Sequence, residues 1–236
     1  MGIKLNGNKE IMKKILAISC SVALMITAAP SVNAAERPLT IAECKKATAT
    51  PRPLTLVKQP KSPAKQLPKK LVLNTNCGEI LIVLNPKAPQ TITNMSALAN
   101  GKYFDNSLCH RLTTAGIFVL QCGDPTYDGG GNPPKWDFYK DENLPKAGPK
   151  NYPAGTVAMA NPARPNANGS QFFLVYQDTQ LGPNYTIWGK ITKGLDTIKK
   201  IGEIGALEWQ GNQAIYAPDG DGEPIQQVAI IKATAK

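Results

Sequence analysis

Residues 108–124, L-C-H-R-L-T-T-A-G-I-F-V-L-Q-C-G-D, constrain the fold most strongly. They read as two short strands, Leu108–Leu112 and Ile117–Cys122, joined by a loop. Period-2 alternation places Phe118, Leu120 and Cys122 on one face of the second strand and Val119 and Gln121 on the other. Polar His110, Arg111 and Gln121 stand among apolar neighbours, with Phe118 close by. An Arg in an apolar β segment is costly unless its charge has a task or a partner. Gly155–Asn161 and Asn168–Val175 have the same mixed character, and together these stretches suggest a concave site on a β scaffold.

At 236 residues the chain suits one domain with appendages. Twenty Gly and twenty Pro, with few aromatics, favour a turn-rich β protein. A single His excludes a multi-His metal centre, and no G-x-x-x-x-G-K-[ST] loop occurs. The net charge of +10 is unevenly placed: +3 in residues 1–34, +7 in 35–70 and zero in 71–236. The neutral remainder argues against nucleic-acid binding.

Residues 1–34 read as a signal peptide. Lys13 and Lys14 precede an apolar run, Ile15 to Ala29, and Val32-Asn33-Ala34 offers a cleavage site; Met12 is an alternative start. The run is shorter than the roughly 20 residues of a spanning helix, the other reading being an uncleaved anchor. Cys20 follows a poor lipobox and belongs to the leader. The protein is therefore expected to be exported: periplasmic, cell-envelope or extracellular. Residues 35–70, with six Pro and seven Lys, predict an extended, solvated arm. It serves either as a plain linker or as a contact for anionic envelope polymers or lipids.

Export makes disulfides plausible for the four remaining cysteines. An antiparallel pairing of the two central strands brings Cys109 opposite Cys122, which leaves Cys44 with Cys77; free buried thiols are the alternative. The domain, 71–236, opens with a hairpin, Leu71–Thr75 and Glu79–Leu84. A helix follows from Pro89 to Asn100, stopped by Gly101. Residues 124–152 form a long loop, strands resume at Thr156–Ala160, Gln171–Val175 and Thr186–Ile191, and a second helix covers about Leu195–Ile201. Asp219–Gly222 is a turn, and Ile225–Lys232 is the last strand. Mainly β with two helices, this pattern suggests a closed antiparallel barrel.

The chain from about Leu71 to Lys232 resembles the cyclophilin family of peptidyl-prolyl cis–trans isomerases. The likeness rests on Phe104-Asp105-Asn106, His110-Arg111, Gln121-x-Gly123-Asp124, Asp141-Glu142-Asn143, Met159-Ala160-Asn161, Asn168 to Phe173 and Trp188-Gly189-Lys190. The C-H-R-L-T-T and L-Q-C-G-D-P segments are similar to a secreted bacterial branch. The resemblance implies a closed eight-stranded barrel capped by two helices, with the site on its outer face. It implies isomerisation of X–Pro bonds in unfolded or flexible polypeptides, with no cofactor and no metal, by a monomer.

Residue by residue, the resemblance makes Arg111 the catalytic arginine and puts Phe118, Val119, Phe173, Leu181 and Tyr185 around the proline. Gln121 and Gln171 would meet the substrate backbone, Ala160 and Asn161 would offer main-chain groups, and His110 would sit at the site edge. The chain departs from the family pattern in four places. Two extra residues separate Arg111 from Gln121, Val119 and Tyr185 stand where Met and His are common, and Gln180 stands where a pocket Trp is frequent. From the residues alone, Arg111 paired to a carboxylate such as Asp124 is the competing structural role. A proline-peptide binding or chaperone module and a wall-associated interaction protein are the other functional readings.

Overall fold

The structure is a computed structural model and describes residues 41–236. The signal-peptide reading and the first residues of the arm lie outside the described residues. Among the described residues no helix is long and apolar enough to cross a membrane.

The opening hairpin is β1 (Lys70–Thr75) and β2 (Gly78–Leu84). Gly78, at φ +97°, makes the turn. The helix α1 (Pro89–Asn100) follows. Its N-terminal N–H groups are met by a carboxylate from the long loop: Gln90 N and Thr91 N donate to Glu142 at 3.0 and 2.8 Å. Gly101 ends the helix at φ −80°, outside the left-handed region. Glycine is needed there for another reason, because a Cβ would lie 2.9 Å from the Ala97 carbonyl and from a Val57 methyl.

The stretch expected as one strand from Leu108 to Leu112 divides into β3 (Ser107–Leu108) and β4 (Arg111–Thr113). Between them the chain changes partner. Cys109 N donates to Val228 O at 2.9 Å, whereas His110 N donates to Gln121 O at 3.1 Å. The strands β5 (Val119–Cys122), β6 (Thr156–Met159), β7 (Phe172–Val175) and β8 (Ile187–Lys193) follow, then α2 (Leu195–Ile204). The hairpin β9 (Ala206–Gln210) and β10 (Gln213–Tyr216), then β11 (Asp221–Pro224) and β12 (Ala229–Ala235), complete the chain.

The twelve strands of the described residues belong to one sheet, ordered β10-β9-β11-β4-β5-β7-β6-β8-β2-β1-β12-β3. That order has two ends, so the eight-stranded closed ring expected from the sequence is not what the ladders describe. Breaking the central strand at Cys109 and adding β9, β10 and β11 account for the larger count. The turn expected at Asp219–Gly222 runs straight into β11 at Asp221.

The core is stitched by edge-to-face rings: Tyr103–Phe104, Phe104–Phe172 and Phe172–Trp188, with centroids 5.4 to 5.8 Å apart. Gly202 sits in α2 where a Cβ would come within 2.4 Å of the Tyr176 ring, so helix and sheet meet at glycine distance.

Residues 45–69 form no helix or strand, but they make contacts that a free, solvated arm would not. They form a strap on the domain. Cys44 is bonded to Cys77, and Lys45 N donates to Asn76 O at 2.8 Å. The Arg52 guanidinium donates to the carbonyls of Tyr103 at 2.6 Å and Asp105 at 3.0 Å. Trp136 Nε1 donates to Val57 O at 2.7 Å, and Leu54, Val57 and Leu67 pack on the core. Three apolar residues so widely spaced leave no periodic signal, while the exposed lysines dominate the composition.

Candidate active site

Antiparallel register places Arg111 of β4 directly opposite Gln121 of β5, and Gln121 opposite Phe173 of β7. Alternation then puts Val119, Gln121 and Arg111 on one face. On that face a cavity of about 140 Å³ is lined by Arg111, Ile117, Val119, Gln121, Ala160, Asn161, Phe173, Leu181 and Tyr185. A hollow of roughly 150 Å³ accommodates a benzene-sized ring. The walls are tied together: Tyr185 and Phe173 meet edge to face at 5.5 Å, and Tyr185 N donates to the Tyr152 hydroxyl at 3.1 Å.

A continuous hydrogen-bond chain orients the polar groups. Gln171 Nε2 donates to Gly129 O at 2.8 Å and Gly131 O at 3.2 Å. Its amide nitrogen is thereby committed, so its oxygen accepts from Gln121 Nε2 at 2.9 Å. That in turn leaves Gln121 Oε1 to accept from Arg111 Nη1 at 3.2 Å. On its other edge the guanidinium is gripped by Asp221, Nε–Oδ1 at 2.7 Å and Nη2–Oδ2 at 2.5 Å. Both side chains keep 40% of their surface exposed, so the pair lies at the surface of the groove and is not sealed in the core. Hydrogen bonding to Asp221 raises the Arg111 pKa above its ordinary value, so the group stays cationic.

The carboxylate that pairs with Arg111 is thus Asp221 and not Asp124. Asp124 instead accepts from Thr126 N at 2.8 Å and Gly131 N at 3.1 Å, and so shapes the adjoining loop. Gly123 precedes it at φ +97°, where a Cβ would lie 2.4 Å from the Ser170 carbonyl.

Most of the residues expected at the site meet there, with exceptions. Phe118 faces the opposite side of the sheet, edge to face with Tyr176 at 6.0 Å, beside a separate open hollow of about 770 Å³. Phe118 directly precedes β5, whose Val119 turns to the cavity, and Ile117, in the bend before it, takes the place in the cavity wall. Gln171 lines a second cavity of about 220 Å³, shared with Gln121, Ala160 and Asn161, and acts on the first through Gln121. His110 lies with Arg111 and Asp221 in a third, of about 430 Å³. Its ring nitrogens are buried without hydrogen-bond partners. Burial lowers its pKa, with the Arg111 charge adding and Asp124 opposing. Ile117 and Asp221 were not singled out by sequence. Ile117 lies in a bend, where no strand alternation places it, and Asp221 lies 110 positions from its partner.

Cys109 is joined to Cys122 across the ends of this hairpin, the pairing that its geometry led us to expect, and Cys44 to Cys77.

Fold and site together describe a β scaffold with a ring-sized hollow walled by both apolar and polar side chains, and a guanidinium beside it. Residues 70–235 match the family model for cyclophilin type peptidyl-prolyl cis-trans isomerases, and the chain belongs to that family. It is 43% identical over 167 residues to a probable peptidyl-prolyl cis-trans isomerase B of Mycobacterium leprae, covering 66% of this chain and 53% of that protein. Against its Mycobacterium tuberculosis counterpart the identity is 41%, covering 66% and 51%. The chain thus spans about half the length of these curated relatives. A peptidyl-prolyl cis-trans isomerase-like 1 of Gibberella zeae is 35% identical, covering 69% of this chain and 92% of that one. A Cryptosporidium parvum cyclophilin type isomerase, crystallised in the presence of the dipeptide Ala-Pro, shares the fold. It has TM-score 0.57 and 24% identity, covering 71% of this chain and 98% of its own.

Proposed function

We propose that this chain is a peptidyl-prolyl cis–trans isomerase acting on flexible, proline-containing segments of exported proteins, with Arg111 donating to the prolyl nitrogen. The observation that carries this reading is the guanidinium held at the lip of the ring-sized cavity by Gln121 and Asp221. Two disulfides support an oxidising compartment, hence export.

The X–Pro amide resists rotation by about 18–20 kcal/mol because resonance keeps it planar. Twisting breaks that resonance, and the nitrogen becomes pyramidal and basic. A donor aimed at it stabilises the twisted state more than either planar one, which is what lowers a barrier. One charged hydrogen bond supplies roughly 1.5–3 kcal/mol, one to two decades of rate. The remainder comes from Val119, Phe173, Leu181 and Tyr185 holding the ring in apolar surroundings. Gln121 and the main chain at Ala160 and Asn161 fix the peptide on both sides. The Ala160 N–H is already donated to Gln171 O at 2.9 Å, so its carbonyl is the group turned to a peptide.

A second reading, a proline-peptide binding module with little turnover, draws on the Arg111–Asp221 pair, since a partnered guanidinium presents less charge to the substrate. A protease-coupled isomerisation assay on proline peptides separates the two. A loss of about a decade or more in Arg111→Ala, with an unchanged circular dichroism spectrum, supports the isomerase. Wild type no faster than buffer supports the binding module.

A further inference from the structure

We propose that Asp221 is a positioning residue for this reaction: it holds the Arg111 guanidinium with its free N–H edge turned to the proline cavity. The inference rests on the reading of Arg111 as the donor to the prolyl nitrogen.

A guanidinium carries five N–H donors in one plane. Asp221 takes two of them, from Nε at 2.7 Å and Nη2 at 2.5 Å, and Gln121 takes a third, from Nη1 at 3.2 Å. Two acceptors on different strands fix the plane, and one N–H on each terminal nitrogen is left for a peptide. Without the carboxylate, a long side chain tied only by Gln121 would turn about its bonds in the open groove.

Asp221 is itself held by backbone. It lies opposite Thr113 in the β4–β11 ladder, and its N–H donates to Asp219 Oδ1 at 3.1 Å. Thr114 N donates to Gly220 O at 2.7 Å on one side. On the other, Gly222 is so close to β9 that a Cβ would stand 2.1 Å from the Leu207 carbonyl. The carboxylate is therefore carried on a strand wedged between β4 and β9.

A surface ion pair of this exposure, 40% on each side, contributes little to stability. What it supplies is direction. A bidentate carboxylate–guanidinium contact has geometry that a single amide or a Lys does not reproduce.

The test is a double-mutant cycle in the isomerisation assay, with kcat and KM determined separately. Asp221→Asn should lower kcat about tenfold and leave KM within about twofold, since misdirection of a donor costs rate more than binding. Asp221→Glu should recover part of the loss. In an Arg111→Lys background the same Asp221→Asn change should have no further effect. In wild-type protein, independent of any variant's folding, the Arg111 Nε–H resonance should exchange slowly with water. Asp221→Asn at or above the wild-type rate, an equal loss in both backgrounds, or a fast-exchanging Nε–H overturns the proposal while leaving Arg111 as donor. Full activity in Arg111→Lys and Arg111→Ala removes the underlying reading, and this one with it.

Discussion

Gln121 Oε1 accepts from Arg111 Nη1 at 3.2 Å across the β4–β5 ladder, where the two residues stand directly opposite one another. The loop between β4 and β5 leaves the pair in register. That loop turns at Thr114–Gly116, where Ile117 N donates back to Ala115 O at 2.7 Å and Gly116 adopts φ +71°.

The two residues ahead of β5, Ile117 on the cavity side and Phe118 on the other, should separate in kinetics. Ile117→Ala removes cavity wall and should raise KM for proline peptides several-fold with a modest loss of stability. Phe118→Ala acts on the far face, against Tyr176, and should lower stability by about 1–3 kcal/mol with KM unchanged. Denaturant melts and Michaelis curves on both variants check this. A KM change confined to Phe118→Ala would reverse the assignment of faces.

His110 gives a pH dependence of definite sign. Burial sets its folded pKa below the ordinary 6.5, so the unfolded chain takes up the proton first as pH falls. Its contribution to stability is complete above the unfolded value and is lost as pH drops below it towards the folded one. Between about pH 7.5 and 5.5, wild type should therefore lose more stability than His110→Gln. Denaturation midpoints at the two pH values give the comparison, and parallel losses would count against a buried neutral ring.

The Cys44–Cys77 bond closes a segment with a sequence separation of 33. Replacing both with Ser should lower stability by about 3–4 kcal/mol. Limited proteolysis should then cut between residues 45 and 69, where wild type resists. Cleavage at equal rates in both proteins would show that the hydrogen bonds of Arg52 and Trp136 suffice to hold the strap.

Gly123→Ala tests the crowded turn after β5. A Cβ there would lie 2.4 Å from Ser170 O and 2.9 Å from Gln171 Cα, both backbone, at φ +97°. Strain and overpacking together predict a loss of at least about 3 kcal/mol. Any folded remainder should show reduced turnover, because Gln171 carries the relay to Gln121. A stable, fully active variant would mean the turn relaxes freely.

The parts legible in the sequence were those written in local pattern. Pro89 at the start of α1, alternation through Val119 and Gln121, and Gly78 at the hairpin turn each announce their structure over a few residues. The cysteine pairing followed from the same hairpin. What stayed hidden depends on distance. Asp221 looked like part of a turn because nothing near it reveals that its strand docks on β4. The hairpin of β9 and β10 is marked in the sequence only by its two-residue turn, Gly211-Asn212, because Trp209 and Tyr216 leave their rings exposed and no clean apolar alternation flanks that turn. The strap's few apolar anchors were outvoted by lysine and proline. For Phe118 the family likeness and the period-2 alternation give opposite faces, and the structure follows the alternation, against Tyr176.

The bond between Cys44 and Cys77 also decides where a mechanical load would enter the domain. Their Cα atoms are 3.9 Å apart, so tension on the polypeptide ahead of Cys44 reaches the β1–β2 turn through covalent bonds and bypasses residues 45–69. Reduction would reroute that pull along the strap, to be borne by Arg52's grip on the Tyr103 and Asp105 carbonyls. Thiol chemistry would thereby select which part of the molecule yields first under traction.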